Sequence, residues 1–107
     1  MSTLLVLTNL PDRDAAAKLA ETLVAKQLAA CVNILAPCRS VYRWKGEVQH
    51  DEEHPLLIKT TQARYAALEA EIRAGHPYEL PEIIAMPVER GLPAYLAWVL
   101  DETAAGQ

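Results

Sequence analysis

The sequence predicts a single α+β domain: a ferredoxin-like split βαβ sandwich with a long central β-hairpin and an extra C-terminal helix. Three observations carry that expectation. Short apolar runs and amphipathic stretches alternate in the order β-α-β-β-α-β. Two long extended stretches flank Gly46, a residue suited to a tight turn. A further amphipathic segment then follows the last strand. One domain over residues 1–107 is expected, since domains run to roughly 100–200 residues.

Leu4-Leu5-Val6-Leu7 is an unbroken apolar run, the pattern of a strand buried on both faces. Pro11-Asp12 turns the chain, and Asp12 can cap the helix that follows. Ala16, Leu19, Ala20, Leu23 and Gln27 fall on one face of that helix, with Arg13, Lys18, Glu21 and Lys26 on the other. Residues 32–45 are extended and β-rich, interrupted at Pro37. Glu47 to Thr60 runs back, polar first and then apolar at Leu56-Leu57-Ile58. Pro55 lacks the N–H of a central strand, so an edge or bulge is expected there.

Thr60 or Thr61 can cap a second helix that buries Tyr65, Leu68 and Ile72. Gly75 and Pro77 end it: one tolerates positive φ, the other cannot continue a helix. Glu82-Ile83-Ile84-Ala85-Met86 is the last strand, stopped by Pro87. Gly91 and Pro93 introduce a closing helix with Tyr95, Leu96 and Val99 inward. Thr103 to Gln107 is expected to fray.

The apolar share of 51% supports a packed core, and the absence of Phe leaves it to Leu, Ile, Val and Ala. A net charge of −4 disfavours a nucleic-acid partner, which wants a basic stripe against phosphates. No stretch approaches the ~20 apolar residues that span a bilayer, so no membrane partner is expected. Met1-Ser2-Thr3 enters the first strand without a basic start or long apolar run, and two cysteines are too few for a disulfide framework. A soluble cytoplasmic protein is the expectation.

The chain is expected to associate with itself. Strands apolar on both sides need a cover on the face the two main helices leave bare. The closing helix is too short to supply all of it. Hairpin arms of about 14 residues, at ~3.3 Å each, exceed 40 Å and overhang the outer strands. Closed symmetry is the common remedy for such edges.

Several segments resemble the CutA divalent-cation tolerance family: Leu28-Ala29-Ala30-Cys31-Val32-Asn33-Ile34, Ser40-Val41-Tyr42-Arg43-Trp44-Lys45-Gly46, Leu57-Ile58-Lys59-Thr60-Thr61, His76-Pro77-Tyr78-Glu79-Leu80-Pro81-Glu82-Ile83-Ile84 and Tyr95-Leu96-Ala97-Trp98. They occur in the family's order over nearly the whole chain. The resemblance implies a cytoplasmic homotrimer, similar in architecture to PII signalling proteins and associated with tolerance to divalent metals, copper especially. Copper-linked members of that family use a Cys after the first strand and two adjacent His before the Pro-Tyr pair. The matching positions here are Thr8, Gly75 and His76, so His76 alone remains as a candidate ligand for copper or another divalent cation.

His76 has a second reading, as a donor to the carbonyls at a helix end. His50, Glu52 and His54 alternate along one strand and can share a side, either as metal donors or as a charged edge. Cys31 reads as a small buried hydrophobe, and Cys38 as more accessible. Seven residues of separation place them on opposite faces of a regular strand. Lys59, Glu53, Tyr78 and Glu82 form a mixed polar set for a cleft between subunits, serving as an ion pair or a ligand pocket. Trp44 and Tyr42 can stack on a ligand or anchor an interface. Cys31, Trp44, Glu53, Lys59, Tyr78 and Glu82 are the ligand-cleft candidates.

Three functions follow. The leading one is a trimeric metal-response protein binding a cation or small ligand at subunit clefts, with a PII-like scaffold free of metal as its variant. The second is an enzyme using Lys59 with Glu53 or Glu82 as an acid–base pair, although no nucleophile elbow or phosphate loop is present, and the expectation is that the chain is not an enzyme. The third, an RNA-binding sheet, would need exposed aromatics and basic residues where the outer strands offer aliphatics.

Overall fold

The computed structural model of the chain describes residues 2–104. The elements run β1 (Thr3–Leu10), α1 (Arg13–Ala25), β2 (Cys31–Ile34), β3 (Cys38–Trp44) and β4 (Glu47–Thr61). A single 3-10 turn follows, then α2 (Tyr65–Gly75), β5 (Ile83–Pro87) and α3 (Pro93–Glu102). The strands form one antiparallel sheet in the order β2-β4-β1-β5, with β3 also paired to β4. This is the expected α+β, ferredoxin-like arrangement. The expected second strand is split in two at Leu35-Ala36-Pro37.

Period-2 alternation assigns the faces. Leu4, Val6 and Leu10 of β1 share a side with Leu56 and Ile58 of β4. Ala16, Leu19 and Leu23 of α1 and Leu68 and Ile72 of α2 close that side into one core. Val6, Leu23, Leu56, Ile58, Leu68 and Ile72 are all fully buried. Each contributes roughly 1.5–3 kcal/mol relative to exposure.

Asp12 caps α1 as expected, its Oδ1 accepting from the Ala15 N–H at 2.8 Å. The helix end was not foreseen. Gln27 lies beyond the helix at φ 56, and the Leu28 N–H reaches back to the Leu23 carbonyl while the Gln27 N–H reaches that of Val24. That is a Schellman motif with glutamine where glycine is usual, and its Leu23–Leu28 contact adds to the core. Conversely, Gly75 has no positive φ.

β4 is the longest element of a chain elongated to 44 Å against 25 and 23 Å. Pro55 sits inside this strand, paired with β1 on one side and facing the break between β2 and β3 on the other, so the bulge expected at Pro55 is present, with its extra residue in the partner strand. Its register with β1 runs unbroken from Thr3↔Thr61 to Leu10↔His54. The irregularity lies opposite: three residues of the β2–β3 link face two of β4 between the Ile34↔Leu56 and Cys38↔Glu53 pairs. The Pro55 carbonyl accepts from Leu35 N–H, so its ring nitrogen faces the gap, where no ladder bond is missed.

Neither threonine caps α2. The Thr60 hydroxyl donates instead to the Leu28 carbonyl at 2.7 Å, and Thr61 makes no side-chain cap. Of the tail expected to fray, residues 105–107 lie outside those described. Thr103 is buried, and its hydroxyl donates to the Val99 carbonyl at 2.9 Å.

The other sheet face carries Leu5, Leu7, Leu57, Lys59, Ile84 and Met86. Helix α3 packs on β4 and β1 and buries Val99, while Tyr95, expected inward, is 40% exposed. Ile84 at 48% and Met86 at 47% stay open to solvent.

Candidate functional site

The hairpin overhang creates a cleft of about 860 Å³. One wall is β3 and the distal half of β4, which present Tyr42, Trp44, Asp51, Glu52 and Glu53. The other is the α2–β5 loop, with Pro77, Tyr78, Glu79, Leu80 and Glu82. Asn9, at the end of β1, forms the floor. Four expected cleft residues, Trp44, Glu53, Tyr78 and Glu82, therefore come together.

Neutral donors hold the acids. The Asn9 Nδ2 donates to Glu82 Oε1 at 2.9 Å, and the Tyr42 hydroxyl donates to Asp51. Burial, then a hydrogen bond to the Glu53 carboxylate and its charge, pushes the Tyr78 phenol well above the ordinary tyrosine range. The bond to Asp51 does the same, less strongly, for Tyr42. The Lys45 ammonium lies 5.6 Å from the Trp44 ring centre, within cation–π range. Across the mouth, Lys45 stands 3.9 Å from Glu79 with both side chains exposed, a pair of little energetic weight.

His76 stands behind this wall. Its Nε2 lies 2.7 Å from the Asn9 carbonyl, and its Nδ1 accepts from the Tyr78 N–H at 3.2 Å. The two rings are 4.7 Å apart. The expected alternative, a donor to the final carbonyls of its own helix, is therefore corrected: the imidazole bonds across to β1.

Cys31 and Lys59 lie elsewhere. They are paired in register on the open sheet face, with Lys59 Nζ 3.7 Å from Cys31 Sγ and bonded to Asn33 Oδ1. Burial and the neighbouring Cys31 push the Tyr95 phenol up. Lys59 is six residues from Glu53 along β4, or ~20 Å. One chain therefore does not assemble the Lys59–Glu53 acid–base pair, and the ion pairs among the described residues do not include Lys59.

Asn9 and Asp51 escaped the sequence reading. Asn9 follows Leu5 and Leu7 on the same strand face, and a polar residue ending an apolar stripe was the available signal.

The residues do not fit a copper set. Thr8 is fully buried on the core side of β1, Gly75 has no donor side chain, and both His76 nitrogens face backbone partners. His50 and Glu52 are exposed, while His54 is half-buried, 3.8 Å from Glu52. Among the described residues no three His, Cys, Asp or Glu side chains are grouped to hold a metal. Cys31 and Cys38 are both free, the second exposed.

Comparison with known proteins agrees with the fold. Residues 4–102 match the profile of the family described as CutA1 divalent ion tolerance protein. The chloroplastic protein CutA of Arabidopsis thaliana is 43% identical over 101 residues, covering 94% of this chain and 56% of its own. The divalent cation tolerance protein Cut A1 of Thermus thermophilus superposes with a TM-score of 0.93 at 42% identity, covering 94% of this chain and 98% of that one. The periplasmic divalent cation tolerance protein CutA of Archaeoglobus fulgidus gives 0.91 at 34% identity, covering 94% and 98%. The chain spans about half the length of the plant and animal relatives it matches. Their compartments vary, and no helix among the described residues is long and apolar enough to cross a membrane. The family description and the names of the two solved structures speak of tolerance and of no reaction. Fold, register and sequence agree on one assignment: this chain belongs to the CutA1 divalent ion tolerance family.

Proposed function

We propose that the chain serves divalent-cation tolerance as a homotrimer that takes a divalent cation or a small ligand in clefts completed between subunits. One observation carries the ligand half. Five carboxylates, Asp51, Glu52, Glu53, Glu79 and Glu82, line the cleft, and no Lys or Arg among the described residues lines it. Such a cleft attracts cations, and its oxygen donors suit hard divalent ions better than copper(I). Copper through the family's Cys and His positions finds no support in the ligands at Thr8, Gly75 and His76.

Self-association is supported by Ile84 and Met86 on the open sheet face and by Tyr95 and Trp98 on α3, all 40–48% exposed. Apolar surface of this kind is usually covered. Three as the subunit number rests on the family resemblance. Two free cysteines favour a reducing compartment such as the cytoplasm.

Calorimetric titration of manganese, zinc and copper(II) into chelator-treated protein tests the cation half, alongside sedimentation velocity. Binding that disappears when Glu53 and Glu82 become glutamine supports the reading. No heat up to millimolar metal removes the cation and leaves the small ligand. The aromatic cleft walls, Tyr42, Trp44 and Tyr78, favour that second reading: a PII-like scaffold for a flat organic ligand.

A further inference from the structure

We propose that His76 is a positioning residue of the cleft and not a metal ligand in this chain, its neutral imidazole tying the Tyr78 loop to the end of β1. The proposal rests on the cleft reading above. A backbone carbonyl only accepts, so the nitrogen 2.7 Å from the Asn9 oxygen, Nε2, carries the proton. A backbone N–H only donates, so Nδ1, which receives the Tyr78 amide at 3.2 Å, keeps its lone pair. The surroundings thus assign one neutral tautomer and engage both nitrogens.

An Nε2–H bonded to a carbonyl is also what a ligating histidine makes, so Nδ1 decides the matter. A metal at Nδ1 would evict the Tyr78 N–H. It would also find no helpers at the other two positions: Gly75 lacks a side chain, and Thr8 is buried on the core side of the sheet.

The same geometry gives His76 a different task. The loop from Pro77 to Glu82 has no helix or strand of its own, yet it carries one cleft wall. Asn9 holds it at both ends, accepting from His76 through its carbonyl and donating to Glu82 through its side chain. His76 meets the Tyr78 ring at a 51° tilt while fixing that residue's amide. The imidazole therefore sets where Tyr78 stands relative to Glu53.

Nitrogen-15 NMR of the wild-type imidazole tests this without any substitution. The expected spectrum at neutral pH shows Nε2 protonated and Nδ1 bare, unchanged on adding zinc chloride alone. The opposite tautomer, or saturable movement of both nitrogens with zinc, overturns the proposal. Variants separate position from packing. H76N keeps an acceptor for the Tyr78 amide, and H76Q keeps a donor that reaches Asn9, so both should hold the Tyr78 resonances nearer wild type than H76F, which keeps only the ring. Full rescue by H76F would refute the hydrogen-bonding role. If zinc binds, its affinity should survive H76Q to within the roughly 10–100-fold that outer-shell changes cost; complete loss of zinc binding in H76Q with the Tyr78 resonances held at their wild-type positions would overturn the proposal. Absence of zinc heat in the wild type would remove the cation from the cleft reading and leave the tautomer result standing.

Discussion

Two buried threonines on the same sheet face should respond to the same substitution with opposite signs. Thr8 and Thr60 are both fully buried, on adjacent strands. The Thr60 hydroxyl donates to the Leu28 carbonyl at 2.7 Å, whereas Thr8 Oγ1 has no partner among the described residues. Burying a hydroxyl without a hydrogen bond costs about 1–3 kcal/mol. Valine has the shape of threonine with a methyl in place of the hydroxyl. Thr8→Val removes that cost and should stabilise by about 1–2 kcal/mol. Thr60→Val leaves the Leu28 carbonyl unpaired and should destabilise by about 1–3 kcal/mol. The two variants should therefore differ by roughly 2–5 kcal/mol, with wild type between them. Urea unfolding reads this through the midpoint. Protein concentration must be held constant, because self-association couples to apparent stability. A Thr8→Val variant less stable than wild type by more than ~0.5 kcal/mol, the noise level of neutral substitutions, would refute the unpaired hydroxyl. So would a matching loss in both variants.

Gln27→Gly should stabilise by about 0.5–1 kcal/mol in urea unfolding, since only glycine occupies φ 56 without penalty and the bond lost, Gln27 Nε2 to the Glu102 carbonyl, is long at 3.4 Å. Asp12→Ala removes the acceptor for the Ala15 N–H and should cost about 1 kcal/mol by the same assay. Ile84→Asp puts a charge on the open apolar face, and light scattering should show dissociation while far-ultraviolet dichroism of the remaining species is kept. The Tyr78 phenol is raised above its ordinary 10.0 in the folded chain by burial first and Glu53 second. Its contribution to stability is whole below about pH 10 and declines as pH climbs from there towards the folded value, because only the unfolded chain releases that proton early. Tyr78→Phe should flatten the alkaline limb of a stability–pH curve, and an unchanged limb would remove Tyr78 as its source.

Local signals were legible where one residue type serves one backbone need. Asp12 announced a helix start, and Gly46, at φ 83 beside Lys45 at φ 51, announced the hairpin turn. Unbroken apolar runs at Leu4-Leu5-Val6-Leu7 and Leu56-Leu57-Ile58 marked strands with apolar side chains on both faces. What escaped depended on distant partners. Thr60 has the look of a cap, but the Leu28 carbonyl, brought near by the Schellman turn, takes its hydroxyl. Gln27 gives no hint of a left-handed position, because the Leu23–Leu28 contact in the core dictates it. Lys59 and Glu53 look like partners among the polar residues, and only the strand between them shows the separation. His76 looks like a ligand until the Asn9 carbonyl and the Tyr78 amide take its nitrogens.

The division along β4 links fold to function. From Pro55 to Thr61 the strand is buried or half-buried between β1 and β2, and core packing fixes it. From Glu47 to Glu53 it pairs only with β3 and is largely exposed. Pro55 marks the boundary, facing the gap between β2 and β3. The proximal half therefore sets stability, and the distal half carries the cleft acids on an arm that the core does not hold. Within one chain, that arm meets the opposite wall through exposed polar contacts such as Lys45 to Glu79. Cleft shape thus follows from whatever packs against the hairpin, and in the function proposed above assembly and ligand binding would share one geometry.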